Sequence, residues 1–254
     1  MGRLTGKLIV ITGGTAGIGR SAALLSAADG AYVVIAGRDW DRGAAVVDEI
    51  ERAGGKGRFV RCDVQNDSEV KSLAGEAADR SGQIDVWINN AGTEGQVGPL
   101  AEVGDDSVDT VLRTNVKGVY SGIRHALPLM PSDGTIVNVA SFVGTRVPVP
   151  IAIAYGASKA AVVSMTSSTA AAVGEDGPLV VAVCPWVVDT PMVDRLTGGA
   201  ADDKADFAAG FAPSGSLTSP EDVAQVITGI CARELKMEPG AAVLVDAGPT
   251  VSEL

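Results

Sequence analysis

The chain has a single histidine, His125, only three cysteines and an aromatic content of 4% across its 254 residues. One histidine cannot build a His-based metal site, and His125 reads as a helix-face residue, not as the base of a Ser-His-Asp triad. No metal site is expected. Cys62, Cys184 and Cys231 are odd in number and lack metal-ligand spacing. They read as reduced core thiols of a cytoplasmic protein, not as a disulfide framework. No apolar run reaches about 18 residues and no signal-peptide pattern opens the chain, so neither a membrane span nor secretion is expected. Positive charge is also scarce: 20 Lys and Arg stand against 31 Asp and Glu, a formal net charge of −11. With no basic cluster, nucleic acid and anionic membranes are poor partners.

Apolar side chains make up 46% of the sequence, enough for one substantial core. Short β-branched runs at 7–12, 31–36, 58–62, 84–88, 134–140, 179–184 and 242–245 alternate with helical stretches. Runs without polar alternation suit strands buried on both faces, and the rhythm predicts a Rossmann-like α/β fold, a doubly wound parallel sheet of about seven strands in one domain. The segment 187–217 breaks this rhythm with Pro, Gly, Asp and Ala. It reads either as a lobe over a substrate or as a plain surface loop.

The first run leads into Thr12-Gly-Gly-Thr-Ala-Gly-Ile-Gly19 and then an Ala/Leu-rich helix. Strand, glycine turn and helix in that order let backbone N–H groups at a helix N-terminus approach a pyrophosphate. The second strand ends in Gly37-Arg38-Asp39. An acid there would bond the ribose 2′-hydroxyl of NAD, whereas arginine pairs with the 2′-phosphate of NADP. Arg38, with Arg42 as a second cation, favours NADP(H) and leaves NAD(H) as the alternative. Asp39 either neutralises Arg38 or caps the next helix.

Tyr155 and Lys159 stand four apart, one helical turn on the same face. A phenol with a pKa of about 10 needs help to exchange protons near neutrality, and a nearby ammonium can supply it. Together with the glycine turn, Asn89-Asn-Ala-Gly92, Asn115 and Ser141, this pair makes the chain resemble the short-chain dehydrogenase/reductase family over nearly its whole length. The resemblance implies an NAD(P)-dependent enzyme interconverting a carbonyl and a secondary alcohol. It makes Tyr155 the acid/base, Ser141 the hydroxyl that orients the reacting oxygen and Lys159 the cation that lowers the tyrosine pKa and holds the nicotinamide ribose. Asn115 matches the residue that holds a relay water. Gly13, Thr15, Gly17, Ile18, Gly19, Asp63, Val64, Asn89, Ala91, Gly92, Pro185, Val188 and Thr190 match the cofactor cradle. The residues themselves also allow plainer roles: helix caps for Asp63 and Thr190, a turn former for Asn89.

The chain departs from the family pattern at Cys184-Pro185-Trp186, where an indole replaces a glycine. Trp186 either shapes the substrate pocket or is buried in a rearranged loop. The family also usually has one residue fewer between Ser141 and Tyr155, and the Pro-rich Val147-Pro-Val-Pro150 is expected to absorb the extra one. Ser141, Phe142, Val143, Val149, Ile151, Trp186, Met192 and Leu196 are the candidate substrate contacts, and their apolar character points to a hydrophobic ketone or secondary alcohol. A dinucleotide sensor without turnover is the reading from a different class. Family members assemble through the helices near 105–129 and 154–173, so a homotetramer is expected, with a dimer as the alternative.

Overall fold

The computed structural model describes residues 2–248 and 251–253. One eight-stranded sheet carries the order β3-β2-β1-β4-β5-β6-β7-β8. The strands are β1 Leu8–Thr12, β2 Tyr32–Gly37, β3 Lys56–Arg61, β4 Val86–Asn89, β5 Thr135–Val139, β6 Leu179–Pro185, β7 Ala242–Val245 and β8 Val251–Glu253. The first seven run parallel. β8 adds an antiparallel edge on β7, which raises the expected strand count by one.

Alternation along each strand sends neighbouring side chains to opposite layers. Ile9 and Ile11 of β1 join Val33, Ile35, Val181 and Val183 in one core layer. Leu8 and Val10 join Val34, Ile136, Val180 and Ala182 in the other. Helices α1 Gly17–Ala28, α2 Trp40–Arg52 and α9 Pro220–Cys231 supply residues to the first layer. The second receives α3 Asp67–Ala78, α5 Gly118–Ala126 and α6 Ile153–Val173.

Local chemistry sets the helix starts. Asp39 accepts from the Arg42 amide at 3.0 Å to open α2, and Asn66 accepts from the Ser68 amide at 3.2 Å to open α3. Ser219 and Asp222 form a reciprocal capping box with Pro220 in the first turn of α9. Between α4 Asp105–Leu112 and α5, residues Arg113–Lys117 form a π-helical turn. α7 Pro191–Thr197 and α8 Ala201–Phe211 fill the segment between β6 and α9. Chain order reverses between β1 and β4, so the strand C-termini open there into a crevice, where ligands of doubly wound sheets bind.

Candidate active site

Two cavities open along this crevice, of about 330 Å³ and about 240 Å³, and both are lined by Gly13, Ala91 and Gly92. The larger gathers Gly17, Ile18, Pro185, Val188, Thr190, Tyr155 and Lys159, together with all eight candidate substrate contacts. The smaller gathers Thr15, Arg38, Asp63 and Val64.

The glycine turn is shaped for a close backbone approach. Gly13 has φ +65°, and a Cβ there would lie 2.8 Å from the Ala91 Cα. Gly17 has φ +50° at the start of α1 and faces Thr190. In contrast to α2, α3 and α9, no side chain caps α1 and its first turn holds no acid, so its leading N–H groups are open to an anion. Gly19 lies outside both cavities. A Cβ there would sit 2.3 Å from the Gly13 carbonyl oxygen, so this glycine serves helix-strand packing.

At the other end, Asp39 caps α2 and pairs with Arg42 Nε at 3.4 Å. The alternatives for Asp39 thereby resolve toward the cap. Arg38 carries no ion pair or side-chain hydrogen bond among the described residues and lines the smaller cavity as a free cation. Asp63 Oδ1 accepts from the Gln65 amide at 3.0 Å, a turn contact; the helix cap is Asn66. Open amides, glycine clearances and a free cation at the far end fit a dinucleotide.

One placement differs from expectation. Asn89 is not brought to the crevice: its Oδ1 accepts from Trp87 Nε1 at 2.7 Å and its Nδ2 donates to Asn138 Oδ1 at 2.8 Å, deep in the core. Its neighbour Asn90 lines the cavity and braces the turn, donating from Nδ2 to the Thr12 and Gly13 carbonyls at 3.1 and 2.9 Å. Alternation at the end of β4 separates the two. Asn115 is fully buried behind the cavity. Its Nδ2 donates to Thr93 O and Ser158 Oγ, both at 2.9 Å, and its Oδ1 accepts from Thr93 N at 2.9 Å. Both amide hydrogens are therefore committed to holding the Thr93 segment against α6, which leaves oxygen lone pairs as the groups that could receive a relay water.

Tyr155 and Lys159 share α6, with the Lys159 Nζ 5.6 Å from the tyrosine ring centre. Ser141, just beyond β5, lines the same cavity as Tyr155 and is the polar neighbour that favours ionisation of its phenol. The Ser141 Oγ also accepts from the Val143 amide at 3.2 Å. Burial pushes the Tyr155 phenol up to about 12 against the smaller opposing effect of Ser141, with the Glu94 carboxylate adding to the rise. Burial pulls Lys159 down to about 8, and its Nζ donates to the Val139 carbonyl at 2.9 Å. The expected lowering of the phenol by Lys159 does not act here, and burial sets the direction of the shift.

The remaining wall is aromatic and aliphatic. Trp186 stacks on Phe142 with ring centres 4.6 Å apart, and Phe211 links Phe142 to Phe207. The indole lines the cavity and so shapes it. Phe207 and Phe211 come from α8, which no short-range pattern ties to the site. Glu94 and Arg195 also line the cavity and were not anticipated; they form a two-point ion pair. Lys204 ties Asp189 to Asp194 within the 187–217 segment, and Asp246 accepts from Ser214 N and Oγ at 2.9 and 2.8 Å.

Comparison with known proteins agrees with this geometry. A family profile described as Enoyl-(Acyl carrier protein) reductase matches residues 13–250. A 3beta-hydroxysteroid dehydrogenase of Mediterraneibacter gnavus is 42% identical over 210 residues, covering 82% of this chain and 76% of the relative. A 3-ketoacyl-(acyl-carrier-protein) reductase from Brucella melitensis, solved with NADH, superposes with a TM-score of 0.84 at 30% identity, covering 96% of this chain and 98% of that one. A short chain dehydrogenase from Burkholderia cenocepacia, solved with NADP, does so with a TM-score of 0.87 at 31% identity, covering 97% and 98%.

Proposed function

The chain belongs to the short-chain dehydrogenase/reductase family and is an NAD(P)-dependent oxidoreductase, and from that premise we propose that it reduces a hydrophobic ring ketone with NADPH. The observation that carries this reading is that the Ser141 and Tyr155 hydroxyls line one largely apolar cavity together, with Lys159 buried beside them. When bound, a nicotinamide dinucleotide supplies or takes up the hydride.

The protein's own part is to place and protonate an oxygen. Ser141 and Tyr155 offer two hydroxyls to one carbonyl oxygen, which orients it and stabilises the charge that develops on it. Because burial holds the phenol up at about 12, Tyr155 keeps its proton at neutral pH and is poised as an acid. That is the protonation state that reduction requires. Lys159, brought down to about 8, is close enough to neutrality to gain or lose its own proton while Tyr155 turns over. Arg38 supports NADPH, since a guanidinium without a protein partner matches a 2′-phosphate in charge and geometry. Trp186, Phe142, Phe207 and Phe211 give an aromatic apolar wall that suits a ring. The 187–217 segment serves as the lobe over this substrate, and the working form is a cytoplasmic homotetramer.

The test is cofactor consumption, read at the nicotinamide absorbance, with NADPH and with NADH over a panel of monocyclic and fused-ring ketones. NADPH oxidation by ring ketones is expected. Turnover with NADH alone would overturn the cofactor assignment, and tight cofactor binding without turnover of any ketone or alcohol would favour a sensor.

A further inference from the structure

The substrate end of the larger cavity is apolar except at one place. Val97, Val149, Met192 and Leu196 present carbon, whereas Glu94 and Arg195 present a carboxylate and a guanidinium. Glu94 follows Thr93, whose N–H and C=O are both bonded by Asn115, so its backbone is fixed to the same scaffold as the catalytic helix. Its side chain is only 10% exposed, whereas that of Arg195, on α7, is 59% exposed at the mouth. Arg195 Nε donates to Oε1 at 2.6 Å and Nη2 to Oε2 at 3.0 Å.

Stability does not explain the pair. With Arg195 more than half exposed, the pair is screened by solvent and adds little net stability. Its hydrogen-bonding capacity is also incompletely used. Each Glu94 oxygen retains a lone pair after accepting from Arg195, and Arg195 retains the two Nη1 hydrogens that Glu94 does not engage. A hydroxyl, which donates and accepts at once, satisfies both groups. The cavity wall thus carries two polar pairs among apolar residues, Ser141 with Tyr155 and Glu94 with Arg195.

We propose that Glu94 and Arg195 determine specificity by binding a hydroxyl of the substrate remote from the carbonyl that meets Tyr155. The substrate class is a hydroxylated alicyclic ketone. This rests on the ring-ketone reading for the identity of the reacting end, but the recognition itself is a matter of binding.

The experiment compares a decalone with a hydroxydecalone bearing its hydroxyl on the other ring, using the NADPH-loaded protein. Wild type, Glu94→Gln and Arg195→Met are each measured for kcat/KM and, with NADP⁺ bound, for ligand affinity by calorimetry. Wild type should prefer the hydroxydecalone by about tenfold or more, and each variant should lose about 10- to 100-fold more on that ketone than on the decalone. Glu94→Gln keeps the side-chain shape, so it reads recognition even if Arg195→Met loosens α7. Equal losses on both ketones would overturn the proposal and make the pair a tie for the lobe. Equal affinity of wild type for the two ketones, or binding of neither, would also overturn it. Selective binding of the hydroxydecalone without turnover would support the recognition and sink the reductase reading.

Discussion

Burial acts on Tyr155 and Lys159 in one chemical sense, against charge, and so moves their pKa values in opposite directions. For Lys159 the native value of about 8 lies below the ordinary 10.5. Below pH 8 both folded and unfolded chains hold the proton, and the folded state bears the full desolvation cost. Between 8 and 10.5 the unfolded chain holds more proton than the native one, so stability rises with pH across that window. Lys159→Met should therefore stabilise the cofactor-free protein at pH 7 by about 2 kcal/mol, after allowing for the lost bond to Val139. The gain should shrink toward pH 10. Chemical denaturation at pH 7 and pH 9.5 checks this, and a variant that is less stable at pH 7 would contradict it. Arg38 allows a second prediction at the same scale. Arg38→Asp should lower the NADPH/NADH ratio of kcat/KM by about 100-fold, through loss of a charge-assisted pair and gain of repulsion. An unchanged ratio would remove Arg38 from phosphate recognition.

Among the elements, the π-helical turn Arg113–Lys117 sets the fully buried position of Asn115 between the Thr93 segment and α6. Asn115→Ala would leave Thr93 N, Thr93 O and Ser158 Oγ without this partner. A loss of about 2–4 kcal/mol in urea denaturation is expected, with turnover falling as the Thr93 segment loosens. A neutral substitution would show that water replaces the amide. This turn also marks where sequence reading stops. Six strands are legible because burial on most of their length leaves β-branched or apolar runs, half-exposed β3 keeps only Phe59-Val60, and three-residue β8 has no such run and exists by pairing with β7. Tyr155 and Lys159 were legible because they lie one turn apart on one helix. Asn89 and Asn90 were confused because a single position decides which faces the core, and strand ends are blurred in sequence. Glu94 and Arg195 lie 101 positions apart, and only the fold brings them together.

On the scale of the whole molecule, Leu112, Tyr120 and Ile153 stay exposed on α4, α5 and α6, although each is large and apolar. They lie in the helices through which the tetramer is expected to form. Light scattering should give about 102 kDa, four copies of the 25.6 kDa chain. Leu112→Arg combined with Tyr120→Arg should reduce that mass, and a wild-type monomer would contradict the assembly. Cofactor cradle, proton donor and apolar wall nevertheless all come from a single chain, so the chemistry is testable whatever the assembly. The most direct measurement pairs wild type with Tyr155→Phe, recording NADPH-dependent turnover of a ring ketone alongside NADPH affinity. Turnover should fall by about 10³-fold or more while affinity stays within about threefold, because only the proton donor is removed. Turnover that survives the loss of the phenol hydroxyl would contradict the account.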